Sequence, residues 1–351
     1  MKSFKKKINI IYICITEKGP SGGGKIIYKH SDLINKLKKQ FTSQVLHIKK
    51  KKSKKWSNSL SKVFRSKEPK YTGWSAKDIT VEKDFKSNWF NNYIKVKNDF
   101  NFDKKKDFII IPEIFAHFAN DLCIKKKIPY AIFAQNGYCL KPTNDYQSLD
   151  RAYKNAKFIL SYSKDISRCV KTAFPSCNNK ILETIYSINK KDFNFSIKKT
   201  NMITYMLRKL PDHSSHLMFF LRNYLPKKWK IKAIHNLKEK EVYKYLVKSK
   251  IFLAFSKLEG LALPPIEAAI ADNKVIGYTG EGGREYWREP VFTEIPNGDF
   301  SKFSFEVLKF IKNERKSKKF KSVREKLIKK FSPELEIAKI KIMLNKIYSF
   351  Y

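Results

Sequence analysis

Two glutamates stand eight positions apart in residues 256–269, which read SKLEGLALPPIEAA. Glu259 follows a predicted strand, and Glu267 lies in the first turns of a predicted helix, where the helix dipole favours a carboxylate. A carboxylate is a pure acceptor and suits a pair of vicinal hydroxyls. Gly260 and its neighbours expose backbone amides at the helix entrance, which can bind the oxygens of an anionic or polar ligand. This combination of amides for oxygens and carboxylates for hydroxyls is typical of a sugar-nucleotide site.

A second candidate phosphate site lies near the N-terminus, where residues 19–26 read GPSGGGKI. The stretch differs by one residue from the P-loop pattern, because Ile26 replaces the Ser or Thr that ligates Mg²⁺. No apolar strand ending in Asp supplies the second metal-binding motif of such enzymes. Gly22, Gly23 and Gly24 together cost backbone entropy, which favours close approach of a ligand over an ordinary turn between strand and helix. The turn is therefore predicted to bind a phosphate of some kind.

Strands alternate with helices along the chain and must position these candidates. In the first half, strands are predicted at 8–15, 44–48, 107–111, 130–134, 158–162 and 180–186, and helices at 26–41, 115–127, 149–156 and 165–174. In the second half, strands are predicted at 201–207, 229–234, 251–256 and 274–278, and helices at 214–225, 238–249, 264–272, 301–313, 317–331 and 333–349. This alternation predicts an α/β protein with parallel sheets, in which ligands bind at the carboxyl ends of strands.

A length of 351 residues favours two domains. We expect two Rossmann-like, doubly wound domains, residues 1–195 and 196–330, that face each other across a central cleft. Residues 49–105 are expected to form a long insertion in the first domain. Residues 331–351 are expected to form a C-terminal helix that crosses back to the N-terminal domain.

The net charge of +42 invites a nucleic-acid function. Lysine is, however, spread over nearly the whole chain together with abundant Ile, Asn, Phe and Tyr, a pattern that an AT-rich genome produces without any functional cause. We therefore expect no specific nucleic-acid partner, although the charge draws the protein toward anionic surfaces such as a membrane. The densest basic run, residues 49–55, is interpreted as a solvated loop.

The five cysteines are scattered without a C-x-x-C motif, which fits reduced thiols in the cytoplasm. The apolar run at 8–15 is too short for a signal peptide and has no cleavage site after it. No stretch approaches the ~20 apolar residues of a transmembrane helix. We expect a cytoplasmic protein that is soluble or peripheral at the inner face of the membrane.

Residues 259–268, EGLALPPIEA, resemble E-G-F-G-L-P-x-x-E-A, the signature of retaining GT-B glycosyltransferases and especially of glycosyltransferase family 4. Residues 275–287, VIGYTGEGGREYW, resemble the next strand and glycine turn of the same group. The resemblance covers the C-terminal half by motif and the N-terminal half by layout. It implies transfer of a hexosyl or other glycosyl group from a sugar nucleotide, with retention, in polysaccharide biosynthesis for the cell envelope or surface.

The resemblance also implies roles for the residues of the motif. Glu267 resembles the ribose-binding glutamate, and Glu259 resembles the glutamate that contacts hydroxyls of the donor sugar. The amides of Gly260, Leu261 and Ala262 are implied to line the sugar and the phosphate. Ala262 departs from the family, which usually has Gly there, and its methyl group tightens the donor pocket while leaving the amide in place.

The family holds the donor diphosphate with two cations and a glycine-rich turn. Residues 202–209, MITYMLRK, end in Arg208 and Lys209, a more closely spaced pair than usual at a predicted strand end. A guanidinium fork and an ammonium group both suit phosphate. Gly22, Gly23 and Gly24 fit the family's glycine turn, which approaches the donor phosphates from the N-terminal domain. No metal ion or other cofactor is expected, and Arg208 and Lys209 are expected to stabilise the leaving phosphate.

The N-terminal domain is implied to bind the acceptor, a glycan or a lipid-linked molecule. Many family members have a His at the strand end that here carries Gln135 and Asn136, an amide pair that can hold hydroxyls but cannot titrate. His117 follows another strand end and is a further acceptor-site candidate.

Three other functions stay open at the level of sequence. One is a P-loop kinase or ATPase, a hypothesis that Ile26 disfavours because the P-loop pattern has Ser or Thr at this position. Another is a basic nucleic-acid-binding protein, which would bind duplexes with a steep dependence on salt. The third is an inactive transferase fold that binds nucleotide without turnover.

Overall fold

The computed structural model describes residues 6–16, 19, 21–37, 40–51, 74–207, 209–314 and 317–351. The chain divides into two compact units. Unit 1 takes the chain up to Tyr162, together with Ile166–Thr184 and Ile337–Tyr351. Unit 2 takes Ser163–Asp165 and Ile185–Glu336. Each unit has its own parallel sheet and its own hydrophobic core.

The sheet of unit 1 has eight described strands. They are β1 (Ile8–Ile15), β2 (Phe41–Lys50), β3 (Ile79–Val81), β4 (Lys95–Lys97), β5 (Asp107–Pro112), β6 (Tyr130–Ala134), β7 (Ile159–Ser161) and β8 (Ile181–Glu183). Their order is β3-β2-β1-β5-β6-β7-β8, with β4 beside β2, and β3 runs antiparallel to β2. The chain leaves β1 toward β2 on one side and reaches β5 on the other, so the switch point of this sheet lies between β1 and β5.

The expected insertion at 49–105 contributes to this sheet. β3 and β4 both pair with β2, so part of the stretch extends the sheet. Lys49 and Lys50 belong to β2, which corrects the interpretation of the basic run as a loop, while residues 52–73 lie outside the described residues.

Helix α1 (Gly22–Leu37) differs at both ends from the predicted helix at 26–41. Ser21 caps it: the amide of Gly24 donates to Ser21 Oγ at 3.0 Å, and the amide of Lys25 donates to the Ser21 carbonyl at 3.0 Å. This cap starts the helix within the glycines. The predicted C-terminal end of this helix was wrong, because Phe41 begins β2, where it pairs with Ile8.

The predicted helix at 115–127 is instead a 3₁₀ turn, Glu113–Phe118, followed by a π-helical turn, Asn120–Ile124. The side-chain amide of Asn120 donates to the His117 carbonyl and to both the carbonyl and the hydroxyl of Ser148. It therefore competes for backbone acceptors that a regular α-helix would use. Unit 1 continues with α2 (Tyr146–Asn155), and α3 (Lys164–Ala173) begins within the short Ser163–Asp165 segment of unit 2.

Unit 2 has a five-stranded, fully parallel sheet of order β10-β9-β11-β12-β13. The strands are β9 (Met202–Met206), β10 (Lys230–Ile234), β11 (Ile251–Ala254), β12 (Lys274–Gly277) and β13 (Phe292–Glu294). The helices are α4 (Pro211–Leu221), α5 (Glu239–Lys248), α6 (Leu263–Ile270), α7 (Phe300–Lys312), α8 (Lys318–Lys330) and α9 (Pro333–Tyr348). The switch point lies between β9 and β11. Sequence analysis missed β13, a three-residue strand whose pairing with β12 defines it.

The C-terminal segment returns to unit 1, as the sequence predicted. Tyr348 packs edge-on against Phe41, and Phe350 stacks on Phe108 with ring centroids 6.2 Å apart. The hydroxyl of Tyr351 donates to the Asp107 carbonyl. These contacts fix the end of the chain against β2 and β5.

Two buried histidines line unit 1 around α1. The amide of Ser87 donates to the Tyr28 hydroxyl at 2.8 Å, which leaves the hydroxyl proton for His47 Nε2 at 2.9 Å. His30 stacks on Phe133 with ring centroids 5.4 Å apart. Burial lowers the pKa of His30 to about 3 and that of His47 to about 4.

We expect the free energy of unfolding to decrease as pH falls from about 6.5 toward 4. In this pH range the imidazoles of the unfolded chain take up protons, and the buried imidazoles of the folded chain do not. For His47 alone, the free energy of unfolding at pH 4.5 should be about 2–3 kcal/mol lower than at neutral pH. Urea denaturation between pH 4.5 and 7.5 should show a shallower slope for His47→Gln, which keeps an acceptor but cannot titrate. The exposed His216→Gln is the control, and equal slopes for His47→Gln and wild type would contradict the assignment.

Candidate functional site

Lys209 and Glu259 flank the switch point of unit 2. Lys209 follows β9, Glu259 follows β11, and Lys209 Nζ lies 3.0 Å from Glu259 Oε1. The lysine side chain is 41 % exposed, so the ion pair contributes little to stability and an incoming anion can draw the ammonium group away at small cost. The structure thus brings together two predicted site residues that are fifty positions apart. Arg208 lies outside the described residues.

The loops after β11 and β12 are held together by their backbones. The amide of Glu259 donates to the Gly280 carbonyl at 2.8 Å, and the amide of Gly282 donates to the Glu259 carbonyl at 3.1 Å. A Cβ atom on Gly282 would lie 2.1 Å from the Gly260 carbonyl oxygen. Gly282 must therefore be glycine for the two loops to approach this closely.

The amides of Gly260, Leu261 and Ala262 stand at the N-terminus of α6. All three residues are buried, and within the described residues these amides donate no hydrogen bond. Pro264 and Pro265 occupy the first turn of the helix, where a missing amide hydrogen costs nothing. The result is a set of unused donors at the positive end of a helix dipole, which is an arrangement that binds anions.

Ala262 adopts a left-handed backbone conformation with φ 57° and ψ 74°. An alanine there costs about 1 kcal/mol relative to glycine, which explains why glycine is usual at this position of the motif. The buried hydroxyl of Tyr286 donates to the Ala262 carbonyl at 2.8 Å and holds the strained turn in place.

Further non-glycine residues at the same edge of the sheet have a positive φ. Leu210 after β9, Leu258 after β11 and Glu281 after β12 have φ of 46°, 48° and 71°. Backbone strain of this kind collects at ligand sites, where the surrounding structure maintains it. Its occurrence after all three strands is consistent with a ligand site at this edge.

Glu267 lies in α6 with only 5 % of its surface exposed. The Tyr243 hydroxyl, from α5, is 3.4 Å from Glu267 Oε1 and 2.7 Å from Glu239 Oε1. The ring of Tyr243 packs on Phe193 with centroids 4.4 Å apart. Because a hydroxyl has one proton and Glu239 Oε1 is nearer, Tyr243 bonds to Glu239 and lies in contact with Glu267, an arrangement whose only local sign in the sequence is the i,i+4 spacing of Tyr243 to Glu239.

Ser163 adds a contact to the motif loop. Its hydroxyl donates to the Gly260 carbonyl at 2.6 Å, and the amide of the next residue, Lys164, donates to Glu285 Oε2 at 2.8 Å. Lys330 Nζ contacts the other oxygen of Glu285 at 3.0 Å. The loop is thus supported from three sides: by the glycine turn, by Tyr286 and by Ser163.

Unit 1 has a polar cluster of its own, centred on Glu113 at the end of β5. Both carboxylate oxygens of Glu113 accept backbone amides, from Gln135 and from Asn136, each at 2.9 Å. Burial raises the pKa of Glu113 to about 7. This buried carboxylate fixes the loop after β6, and the sequence analysis did not single it out because a Glu at a strand end gives no sign of burial.

Gln135 lies against the glycines. Its side-chain amide donates to the Gly23 carbonyl at 3.2 Å, and a Cβ atom on Gly23 would lie 2.5 Å from Gln135 Oε1. The three glycines form the first turn of α1, which corrects the expectation that they form a turn before the helix. A Cβ at position 23 would displace the end of the flexible Gln135 side chain, so this contact alone does not require glycine there.

The other two acceptor-site candidates are engaged locally. The side-chain oxygen of Asn136 accepts the Tyr138 amide at 3.0 Å. His117 Nε2 lies 2.6 Å from the Trp74 carbonyl, to which it donates, and its ring packs edge-on against Phe118. Burial lowers the pKa of His117. Of the three candidates, Gln135 is the one that hydrogen-bonds to the glycines at the start of α1.

Two features are absent from the described residues. No group of three or more His, Cys, Asp or Glu side chains in the described ranges is arranged to hold a metal ion. Among the described helices, none combines the length and the apolar character needed to cross a membrane.

Comparison with known proteins gave no match by sequence and clear matches by structure. No protein-family model and no curated protein sequence matches the chain. The Anabaena protein HepE, solved in complex with UDP, has a TM-score of 0.65 at 8% identity, covering 98% of this chain and 100% of that one. Sucrose-phosphate synthase from Thermosynechococcus elongatus has a TM-score of 0.67 at 10% identity with the same coverage, 98% and 100%.

A third similar structure is the lipopolysaccharide outer core galactosyltransferase WaaB, with a TM-score of 0.58 at 12% identity, covering 98% of this chain and 100% of that one. At such low identities the likeness shows the fold. The chain has the GT-B type of fold, with two Rossmann-like units, and resembles GT-B glycosyltransferases as the sequence predicted.

We expect Ala262→Gly to stabilise the protein by about 1 kcal/mol, because glycine removes the cost of the left-handed conformation. The matched control is Ala338→Gly at an exposed position inside α9, where glycine should cost about 1 kcal/mol. Denaturant unfolding of the three proteins measures both values. Destabilisation of equal size by the two substitutions would show that Ala262 is not strained.

Proposed function

We propose that the protein is a glycosyltransferase that moves a sugar from a nucleoside-diphosphate sugar to an acceptor hydroxyl, with retention of anomeric configuration, in cell-envelope or surface glycan synthesis. The observation that carries the proposal is the edge of unit 2 at its switch point. There the unused amides of residues 260–262 lie between Glu259 and Glu267, with Lys209 paired to Glu259. The fold shared with HepE, which was solved with UDP, and with the galactosyltransferase WaaB supports it.

Each group of this edge has a chemical partner on a sugar nucleotide. The amides at the N-terminus of α6 suit oxygens of the diphosphate or the sugar. Glu267, which lies beside Tyr243, accepts the ribose hydroxyls, and Glu259 accepts hydroxyls of the donor sugar. Lys209 exchanges its contact with Glu259 for a phosphate oxygen, beside Arg208 in sequence.

The chemical step breaks the bond between the anomeric carbon and the diphosphate oxygen and forms one to the acceptor oxygen. Negative charge grows on the leaving diphosphate, where Lys209, Arg208 and the helix amides stabilise it. The acceptor proton passes to the leaving phosphate, so the mechanism needs no protein base, and in this proposal the acceptor oxygen attacks the anomeric carbon directly without a protein nucleophile. In this proposal the cations also replace a divalent metal ion.

Unit 1 is proposed to contribute to acceptor binding through the loop that Glu113 fixes. The amide side chain of Gln135 is suited to an acceptor hydroxyl, while Asn136 and His117 shape the surrounding backbone. In the first turn of α1, the amides of Gly22 and Gly23 are helix-terminal and suit an anionic group, whereas the amide of Gly24 is used by the Ser21 cap. A glycan or a lipid-linked acceptor carries the hydroxyl.

The test of the donor site is a thermal-shift and calorimetry panel of nucleoside diphosphates and their sugars. A ligand at a hundred times its dissociation constant should stabilise the wild type by about 2.7 kcal/mol. Glu267→Gln should weaken binding about 10- to 100-fold, because a charged hydrogen-bond acceptor to the ribose is lost, while unfolding without ligand changes little. Glu241→Gln on the exposed side of α5 is the matched control.

Two results would reject this assignment. One is an unchanged affinity of Glu267→Gln for every nucleotide that binds the wild type. The other is a wild type that ignores all nucleotides and instead binds duplex DNA with a steep dependence on salt. Binding without any turnover would favour the inactive transferase fold.

The test of the phosphate site uses sugar transfer itself. We expect activity to persist in excess EDTA, and Lys209→Ala to lower kcat/KM about 10- to 100-fold, since an ammonium group that meets the leaving phosphate is lost. Lys126→Ala at an exposed position of unit 1 is the control. Loss of activity in EDTA with recovery in Mg²⁺ or Mn²⁺ would overturn the metal-free step.

A further inference from the structure

Four large aromatic side chains are exposed on one part of unit 2. Phe219 and Phe220 near the end of α4 are 58% and 40% exposed, Tyr224 in the following turn is 71% exposed, and Phe305 on α7 is 62% exposed. They are half of the exposed aromatic side chains in the described ranges. We call Phe219, Phe220, Tyr224 and Phe305 the aromatic surface.

Helices α4 and α7, which carry three of these four rings, pack against each other. Phe300, the first residue of α7, contacts three rings of α4, with centroid distances of 5.3 Å to His213, 5.3 Å to His216 and 6.1 Å to Phe220. Phe220 in turn lies edge-on to Phe219 at 6.2 Å. Exposed apolar rings that are grouped in this way mark an interaction site.

Cations surround the aromatic surface. The guanidinium of Arg222 lies 3.6 Å from the centre of the Phe219 ring, and Lys309 Nζ lies 5.7 Å from that of Phe305. Residues 211–230 and 300–312 together contain seven Lys or Arg and two acidic residues. One of the acids, Glu306, is paired with Lys309 at 3.3 Å. The region is therefore strongly positive as well as aromatic.

We propose that the aromatic surface docks on an anionic lipid bilayer. Aromatic side chains are favoured at the level of the lipid headgroups, and Lys and Arg beside them are attracted to lipid phosphates. Arg222 stays exposed above Phe219 and so can contact a phosphate while the ring enters the interface. A second copy of the chain is disfavoured as the occupant, because two strongly positive surfaces would repel each other. The inference does not depend on the proposed enzymatic function.

Co-sedimentation of the full-length protein with vesicles tests the proposal. We expect binding to phosphatidylcholine vesicles that contain phosphatidylglycerol, much weaker binding to pure phosphatidylcholine, and release at high salt. The variant Phe219→Ser/Phe220→Ser/Tyr224→Ser should reduce the partition coefficient by about tenfold or more. The matched control is Tyr93→Ser/Tyr146→Ser, which removes two exposed aromatic rings of unit 1.

A second variant separates charge from aromatic contact. Arg222→Gln/Lys302→Gln/Lys309→Gln should weaken binding to the anionic vesicles by about tenfold or more, whereas Lys104→Gln/Lys105→Gln in unit 1 should have a small effect. Circular dichroism and melting temperature establish that each variant is folded. In the panel of nucleoside diphosphates and their sugars, measured without vesicles, all variants should show the same thermal shifts as the wild type. The proposals of membrane docking and of donor binding are therefore tested independently.

Several results would overturn the proposal. These are no binding of the wild type to anionic vesicles, equal binding by the aromatic variant and its unit 1 control, or binding that does not distinguish the two vesicle types. Light scattering that shows a wild-type dimer and a monomeric aromatic variant would assign the surface to self-association instead. Tight binding of duplex DNA that the same substitutions abolish, without binding to vesicles, would assign it to nucleic acid.

Discussion

The contact between two backbones after β11 and β12 is the constraint on which the candidate donor site depends. Glu259 takes part through both its amide and its carbonyl, and the absence of a side chain on Gly282 allows the approach. Because these bonds use the backbone of Glu259, its carboxylate is left to face Lys209. The same contact places residues 260–262 so that their amides remain unused at the helix N-terminus. The geometry of the candidate site thus depends on backbone contacts rather than on side-chain packing.

Strain at this edge is balanced by hydrogen bonds from outside the motif. Ala262 keeps a left-handed conformation while Tyr286 binds its carbonyl, and Ser163 binds the carbonyl of Gly260. Tyr243 contacts Glu267 from a neighbouring helix. A pre-organised site of this type loses little conformational entropy when a ligand binds. Its supporting residues are therefore as important for the proposed function as the residues that touch the ligand.

In unit 1 a buried side chain, rather than a backbone contact, fixes the loop of interest. Glu113 is a buried carboxylate that accepts two consecutive amides, and it fixes the loop that carries Gln135. Gln135 then packs on the first turn of α1 at Gly23. In both units the groups of interest follow strands that border a switch point or lie next to one that does, as expected for open parallel sheets. The aromatic surface of unit 2 lies instead on α4, α7 and the turn after α4, so it is a property of the helical layer.

The sequence by itself determined the α/β class, most strands and helices and the motif with Glu259 and Glu267, because these depend on local periodicity and on a short run of residues. β6 was predicted at its observed bounds, whereas α1 began earlier than expected because its cap is a side-chain contact of Ser21. Only the tertiary structure decided which distant groups meet: Lys209 with Glu259, and Glu113 with the loop after β6. Burial and backbone conformation, such as those of Glu113 and Ala262, follow from the packing of elements that lie far apart in the chain, and no local pattern encodes them.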